Sequence, residues 1–504
     1  LVPIPTNKTD LVHGSLHATG KGKFRAYNHF EPQRGSYDLL PFRLHHMPDD
    51  RYLVSNEAGE YVLLASQDLK RLVEGKLEPT DPLYADLSAA HFLYDETSNS
   101  AIDLLAVKVR TKRDRVADFT SLHMFVLTLR CNQSCPYCQV SRQSEDRAAF
   151  DMSEEHIDKA LDFAFRSPSP AIKFEFQGGE SLLNMEGLRH VVTGARQRNR
   201  SAGKAIEFVA ATNLTSLSDE TLEYFKQEDI HVSTSLDGPQ DLHNENRPYK
   251  GKDAFGIVRR NIERARRVLG PDSVSALMTT TSKSLGRVKE IIDEYIEAGF
   301  SEVFLRPLSP YGFAIRGRAF YEYEPDEWIA FFKEGVNYIL DLNAQGIQFR
   351  EAYSSIILQK LLSPSGTGFV NLQSPAGVGI AGIIYNYDGA IYGSDEGRML
   401  AEMEDHAMLL GHLDDSTFED VFLSERLFAV LSESLPESSP MCTGCGLLPY
   451  CGADPDYHYA QSRDVRGHKA LSGFCQKNMA IIEWLVESLD RDDERSQILR
   501  SWGE

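Results

Sequence analysis

The sequence predicts an α/β protein built on a partial (β/α)6 barrel, with a small winged-helix-like domain before it and a cysteine-bearing domain after it. Three observations carry this prediction. Six β-prone runs alternate with helical runs between residues 122 and 306, the spacing of parallel strands joined by crossover helices. No strand is followed by G-x-G-x-x-G, which makes an open barrel a more economical closure than a doubly wound sheet. All seven cysteines fall into two groups, Cys131, Cys135, Cys138 and Cys442, Cys445, Cys451, Cys475, one at the first strand and one near the C-terminus.

At 504 residues the chain is long enough for several domains. Its formal charge, 53 − 74 = −21, repels phosphate backbones and argues against a nucleic-acid substrate. The basic run Arg259, Arg260, Arg264, Arg266, Arg267 is interrupted by Glu263 and reads as a solvated helix face. There is no apolar run of about 18 residues and no basic-then-apolar N-terminus, so neither a membrane span nor a signal peptide is expected. The odd, clustered cysteine count fits metal ligation better than disulfides and points to a reducing cytoplasm.

In chain order, residues 1–35 lack periodicity and read as an N-terminal arm. The front domain, 36–115, shows β-prone runs at 51–55 and 60–64 around Asn56-Glu57-Ala58-Gly59, a hairpin signal. Helices at 68–74, ending at Gly75, and at 82–90 follow. The barrel, 116–310, has strands at 122–130, 171–177, 205–212, 230–236, 273–280 and 301–306. Its helices lie near 153–166, 185–198, 218–228, 252–268 and 284–298; the first has Ser153 as N-cap and Ile157, Ala160, Leu161, Ala164 and Phe165 at helical period. Residues 307–323 are rich in Pro, Gly and Tyr and open a helical linker, 311–370, with helices near 326–345 and 352–362. The last domain, 371–504, holds the second cysteine group and a helix at 476–489 whose Met479, Ile482, Leu485, Val486 and Leu489 form one apolar face.

The chemistry centres on Cys131-Asn132-Gln133-Ser134-Cys135-Pro136-Tyr137-Cys138, a CxxxCxxC loop directly after the first strand. Three thiolates can hold three irons of a four-iron cluster and leave the fourth open. A zinc site wants a fourth ligand, and none follows at finger spacing; three unrelated buried cysteines are the remaining reading. In α/β barrels ligands bind at the carboxyl ends of strands. The second strand ends Gln177-Gly178-Gly179-Glu180, where glycines admit close backbone approach and Glu180 can accept from an ammonium group. As a bare triplet it is also an ordinary turn. Thr212-Asn213 ends strand three, and Ser235-Leu236-Asp237-Gly238-Pro239 ends strand four, its D-G-P a good turn by itself. The second cysteine group suffices for either zinc or a four-iron cluster.

On these strings residues 120–310 resemble the radical S-adenosylmethionine (SAM) superfamily. The resemblance implies a [4Fe-4S] cluster on Cys131, Cys135 and Cys138, whose open iron binds SAM, and a 5′-deoxyadenosyl radical that abstracts a substrate hydrogen. It implies Tyr137 on the adenine side and Gln177, Gly178, Gly179 and Glu180 about the methionyl amino group. Asn213 and Ser235 become further cofactor contacts, and Arg247 a partner for the methionyl carboxylate.

The C-terminal spacing resembles the auxiliary-cluster domain called SPASM, which usually holds two clusters. Here Ala376 and Ser394 stand where the pattern has Cys, Gly389 keeps its place between them, and Pro455 stands at a further Cys position. The missing ligands belong to one auxiliary cluster, so one [4Fe-4S] auxiliary cluster on Cys442, Cys445, Cys451 and Cys475 is expected. Tyr392 to Gly397 take the lost cluster's place, with Asp395 as candidate base or substrate contact, or else a plain loop acid.

Residues 122–130, Gln139 to Gln143 and Tyr392 to Leu400 together resemble maturases of the His-Xaa-Ser peptide system. That implies a ribosomal precursor peptide with His-x-Ser repeats, cross-link formation, a reductant such as flavodoxin or ferredoxin, and a paired second radical enzyme; the hairpin and small helices of 36–115 resemble a winged-helix-like precursor-recognition domain that pairs its sheet edge with a leader peptide by β-augmentation, the other reading being an ordinary α+β cap with no partner. The alternatives are a protein dehydrogenase of the anaerobic sulfatase-maturating type and a non-enzymatic iron–sulfur electron-transfer or scaffold protein.

Overall fold

The computed structural model describes residues 37–96, 100–316 and 322–503; the expected arm at 1–35 lies outside them. The front domain begins with strands β1 (Phe42–His46), β2 (Arg51–Asn56) and β3 (Tyr61–Ala65), an antiparallel sheet in that order. Its second turn forms where the sequence predicts. Asn56 Oδ1 accepts from the Ala58 and Glu60 backbone N–H groups at 2.9 and 3.2 Å, and Gly59 takes φ +85°. Helices α1 (Ser66–Val73) and α2 (Pro82–Ala89) pack Leu69, Leu72, Tyr84 and Leu87 against Val54 and Leu64. Asp81 caps α2 through Leu83 N at 3.0 Å. Helix α3 (Ala101–Arg113) was not anticipated: Ile102, Leu104 and Val107 are exposed while Ala101 and Leu105 are buried, so its apolar residues trace no single face.

The barrel strands follow as β4 (Leu122–Thr128), β5 (Ala171–Gly178), β6 (Ala205–Ala211), β7 (Ile230–Ser235) and β8 (Val274–Leu277). Between them run α4 (Glu154–Arg166), α5 (Met185–Ala202), α6 (Asp219–Glu228) and α7 (Ala254–Leu269), with α8 (Val288–Glu297) after β8. Ser153 and Ser218 cap α4 and α6 as side-chain acceptors. The five strands are parallel neighbours in the order β8-β7-β6-β5-β4.

The expected sixth strand is cut down. Only Glu302–Val303 is extended, and it pairs with Arg350–Glu351 rather than with β8. The buried Glu351 carboxylate accepts from Leu305 N at 3.2 Å and Ser354 N at 2.6 Å, drawing this segment towards the helical layer. One backbone bond, Thr280 N to Arg306 O at 2.8 Å, keeps it beside the fifth crossing.

Helices α9 (Pro325–Ala344) and α10 (Ala352–Leu362) lead to β9 (Gly382–Tyr385), β10 (Ala390–Tyr392), α11 (Asp395–Ala401) and β11 (Leu409–His412). Strand β9 pairs parallel with β4, and β10 and β11 continue antiparallel, so one eight-stranded sheet spans the barrel and the C-terminal segment. The chain closes with α12 (Gly473–Asp490) and α13 (Glu494–Gly503). The stripe Ile482, Leu485, Val486 and Leu489 is fully buried against α9 and α10, while Met479 packs partly buried at its edge.

The sheet core stacks Phe125, Phe174, Phe176 and Phe208 with Tyr385. His123 lies inside it, bonded to Tyr385 Oη at 3.0 Å and Thr120 O at 3.1 Å, and burial pushes its pKa down to about 3. The unfolded chain therefore binds a proton here below pH 6.5 that the folded chain refuses, and stability falls as pH drops from 6.5 towards 3. Replacing His123 with Gln should flatten that slope by up to about 1.4 kcal/mol per pH unit, read as the difference between wild-type and H123Q denaturation at pH 6.5 and 5.

Candidate active site

The site begins where β4 ends. Arg130 makes a bidentate pair with Asp151 at 2.7 and 2.8 Å and donates to Leu183 O at 2.5 Å, which fixes the strand's exit. Asn132 donates to Thr215 Oγ1 and Ser216 Oγ at 2.9 and 2.8 Å, and Asn213 donates to Asn132 Oδ1 at 2.9 Å. Phe313 N donates to Cys138 O at 2.7 Å. Gly312, at φ +59°, lies so close that a Cβ there would meet Gln139 O at 2.3 Å. The segment expected as a linker thus buttresses the cysteine loop.

The GGE turn is stitched to this loop. Gly179 N donates to Thr128 O and Glu180 N to Arg130 O, both at 2.8 Å. A Cβ on Gly178 would stand 2.2 Å from Thr128 O, and one on Gly179 2.5 Å from Arg130 O. Only glycine permits that approach. Glu180 is buried, and its carboxylate accepts from Thr212 Oγ1 at 2.5 Å, Leu182 N at 3.1 Å and Asn213 N at 2.7 Å. Burial raises its pKa against the opposing pull of these bonds. Three of about four acceptor positions of a carboxylate are filled, leaving one.

Sequence reasoning read Asp237 as part of a turn and missed its role. It is fully buried and joins two of the expected contacts: Tyr137 Oη donates to Asp237 Oδ2 at 2.5 Å, and Arg247 Nε donates to the same oxygen at 3.0 Å. Thr279 N donates to Asp237 Oδ1 at 3.3 Å, and the His243 ring accepts from the Asp237 backbone N–H at 3.3 Å. Arg247, expected to face a methionyl carboxylate, has its Nε on Asp237 and its guanidinium 5.5 Å from the Tyr137 ring centre. An acid ten residues before that Arg, in S-L-D-G-P, was the available signal. Ser235 ends β7, paired in register with Leu277.

Burial raises the Cys131 and Cys135 thiols to about 12, with contributions from each other's loop: Cys138 acts on both and Cys131 on Cys135. The second group also converges. Cys475, at the start of α12, is raised to about 11 by burial and by Cys451, Cys442 and Cys445. Among the described residues, no three of these thiols offer ligand atoms within 4.8 Å of one another. Sulfurs sharing one tetrahedral zinc at about 2.3 Å would lie inside that span, whereas cysteines bound to separate irons do not need to. The trio that does meet it is His156, His412 and Asp414, where Lys159 Nζ already lies 2.9 Å from Asp414 Oδ1.

A cavity of about 930 Å³ opens between the sheet and the C-terminal segment. Gln177 faces it rather than the GGE turn, donating to Glu175 Oε1 at 2.8 Å and Met124 Sδ at 3.1 Å. Asp395 lines the cavity but is held by buried Arg398, through Nε at 3.1 Å and Nη2 at 3.0 Å. Its neighbour Glu396, which sequence reasoning passed over, also lines it and is raised to about 8 by burial, then by Asp454, Asp395 and Asp456. Ser394 donates to Asp456 Oδ2 at 2.6 Å, so two segments expected to carry missing cysteines do meet.

Asp237→Asn removes the counter-ion of a buried guanidinium. It should lower stability by about 3–5 kcal/mol, read by chemical denaturation of the cluster-free protein against wild type.

Residues 125–295 match the Radical SAM superfamily. The chain is 31% identical over 137 residues to the serine-type anaerobic sulfatase-maturating enzyme of Bacteroides thetaiotaomicron, spanning 26% of this chain and 33% of that protein. It is 23% identical over 373 residues to the cysteine-type enzyme of Clostridium perfringens, 71% of this chain and 94% of that one. The fold is similar to native anSMEcpe with bound AdoMet, with TM-score 0.63 and 19% identity over 75% of this chain and all of the other. It is also similar to Streptococcus suis SuiB bound to precursor peptide SuiA, with TM-score 0.51 and 14% identity over 86% and 98% of the two chains. The cysteine loop and GGE turn, stitched at the carboxyl ends of β4 and β5, both lie within the residues 125–295 that match the Radical SAM superfamily.

Proposed function

We propose that this chain is a radical SAM peptide maturase that abstracts hydrogen from a side chain of a ribosomal precursor peptide and forms a cross-link. The observation that carries the reading is the backbone stitch between the CxxxCxxC loop and the GGE turn, which brings three thiols and a buried carboxylate to one strand end. Cys131, Cys135 and Cys138 would hold a [4Fe-4S] cluster with one open iron; the lack of a fourth thiol in the loop fits that group. When bound and reduced there, SAM supplies a 5′-deoxyadenosyl radical.

Glu180 offers its remaining acceptor position to the methionyl ammonium, held in place by Thr212, Leu182 and Asn213. Gly178 and Gly179 keep that edge free of side chains. Tyr137 borders the adenine side, oriented by its bond to Asp237. Arg247 uses the same carboxylate as an anchor and has further guanidinium nitrogens for an anionic group. Gln177, Asn213 and Ser235 are further cofactor contacts in this reading. Cys442, Cys445, Cys451 and Cys475 would hold one closed auxiliary [4Fe-4S] cluster, and Asp395 stays a candidate base only if Arg398 releases it.

The division into a front domain at 36–115, a barrel at 116–310, a helical linker at 311–370 and an auxiliary domain at 371–504 belongs to this reading. A leader peptide would add to the sheet at β3, because β1 is engaged: Gly446 N donates to Leu44 O at 3.1 Å and Arg43 Nε to Thr443 O at 2.8 Å. A His-Xaa-Ser precursor, a flavodoxin or ferredoxin reductant, a paired second radical enzyme and a cytoplasmic setting complete it. Among the described residues no helix is long and apolar enough to cross a membrane.

A second reading, oxidation of a sulfatase-type peptide to an aldehyde, is favoured by the two sulfatase-maturating relatives. Mass spectrometry separates the two. A co-expressed precursor losing two hydrogens per motif supports cross-linking, and a hydrazide-reactive aldehyde on a sulfatase-type peptide supports the second.

Reconstituted, reduced protein should turn SAM into 5′-deoxyadenosine, and Cys131→Ala should abolish this; no 5′-deoxyadenosine from wild type would sink both readings. Iron should reach about eight per chain, and Cys451→Ala should remove about half of it. About four irons plus one zinc would instead assign zinc to the second group.

A further inference from the structure

The 930 Å³ cavity is strongly acidic, and its charges do not balance. Among the described residues Glu175 lines it from β5, Glu322 and Glu324 from the segment leading into α9, Asp395 and Glu396 from α11, and Asp454 from the segment before residues 455–462, against the cations Arg306 and Lys477. Asp395 is matched outside the cavity by Arg398. Lys477 acts on Asp454, and Arg306 is shared, acting on both Glu175 and Glu396. Glu175 is also held by Lys173 on its own strand and accepts from Gln177, so Glu396 is left to share Arg306, and six lining carboxylates face two lining cations. Asp456, which also bears on Glu396, is tied to Ser394.

Two further groups mark the cavity as a ligand site. Tyr311 is 1% exposed and Trp328 2%; both line the cavity, and among the described residues neither Tyr311 Oη nor Trp328 Nε1 has a hydrogen-bond partner. Buried polar groups without partners cost free energy unless a ligand or water satisfies them. The same two rings offer π faces to a cation; Lys477 already lies 5.7 Å from the Trp328 ring centre. Gln177, the residue before the GGE turn, reaches this wall through its bond to Glu175, and Tyr311 lies two residues before Phe313, whose backbone N–H donates to Cys138 O.

We propose that this cavity is a specificity subsite for a cationic, donor-bearing peptide side chain, with Glu396 as its principal acceptor and Tyr311 and Trp328 as flanking contacts. The inference rests on the peptide-maturase reading and names the side-chain class that reading leaves open. Burial and the surrounding acids Asp454, Asp395 and Asp456 raise Glu396 to about 8 against the opposing pull of Arg306, so at pH 7 the free carboxyl is mostly protonated. A cation beside it favours the ionised form and releases the proton. Binding is thus expected to tighten as pH rises from 7 to 8.

The test uses the reconstituted holoenzyme with SAM and three synthetic nine-residue peptides of Gly, Ala and Ser with Lys, Met or Glu at the centre, titrated calorimetrically. The Lys peptide should bind at least about tenfold tighter than the Met peptide, with the Glu peptide weakest. At pH 7 its binding enthalpy should vary with buffer ionisation enthalpy in the sense of proton release. Glu396→Gln should lose most of the discrimination and all of the proton release while holding the Met peptide within about twofold. Glu396→Asp should keep part of both, and unchanged iron content shows that each variant folds. Equal affinity for Lys and Met peptides, preference for Glu, discrimination surviving in E396Q, or no binding of any peptide overturns the inference. 5′-Deoxyadenosine formation in the same preparations separates its failure from failure of the radical reading.

Discussion

A contact between two pieces of backbone supports the rest of the structure. The carbonyls of Thr128 and Arg130, at the exit of β4, accept from Gly179 N and Glu180 N, at the exit of β5. Any side chain at Gly178 or Gly179 would collide with those same carbonyls. The stitch makes the cysteine loop and the Glu180 carboxylate one rigid unit, and the side chains around it act to hold that unit. Arg130 binds Asp151 on the far side of the loop, Asn132 and Asn213 link it to the end of β6, and Gly312 and Phe313 press on Cys138 and Gln139 from below.

From there the structure grows through shared strands rather than through separate modules joined by linkers. Strand β9 lies beside β4 in register, so the C-terminal segment completes the barrel's sheet instead of capping it. Its α11 carries Asp395 and Glu396 to the cavity that Glu175 and Gln177 reach from β5. The second cysteine group is bound into the molecule on the other side, since the Cys445–Gly446 segment docks along β1 of the front domain. Front sheet and second cysteine group are thus joined by ordinary backbone pairing.

The elements most legible in the sequence were those whose signals are local. Ser153 announces a helix start because an N-cap needs only its own first turn. Asn56 to Gly59 announce a hairpin turn for the same reason. The stripe on α12 was legible because one face alone is buried. Helix α3 was not, because it buries Ala101 and Leu105 while exposing Ile102, Leu104 and Val107. The sixth strand was over-read: residues 301–306 have a strand's composition, but the buried carboxylate of Glu351 captures Leu305 and redirects the pairing.

The sequence alone determined the donor set and its spacing: three cysteines after a strand, two glycines and an acid after the next, four cysteines near the end. Those are covalent facts, and their chemistry follows from residue type. Tertiary structure decided which groups share a charge. Asp237, read as a turn residue, became the common partner of Tyr137 and Arg247 because a fully buried carboxylate must find donors, and these were the ones within reach. Asp395, read as a base, was claimed by Arg398 one helical turn away, and Glu396 next to it kept the open side of the cavity. A side chain's partner depends on burial and distance, and neither is written in the order of residues.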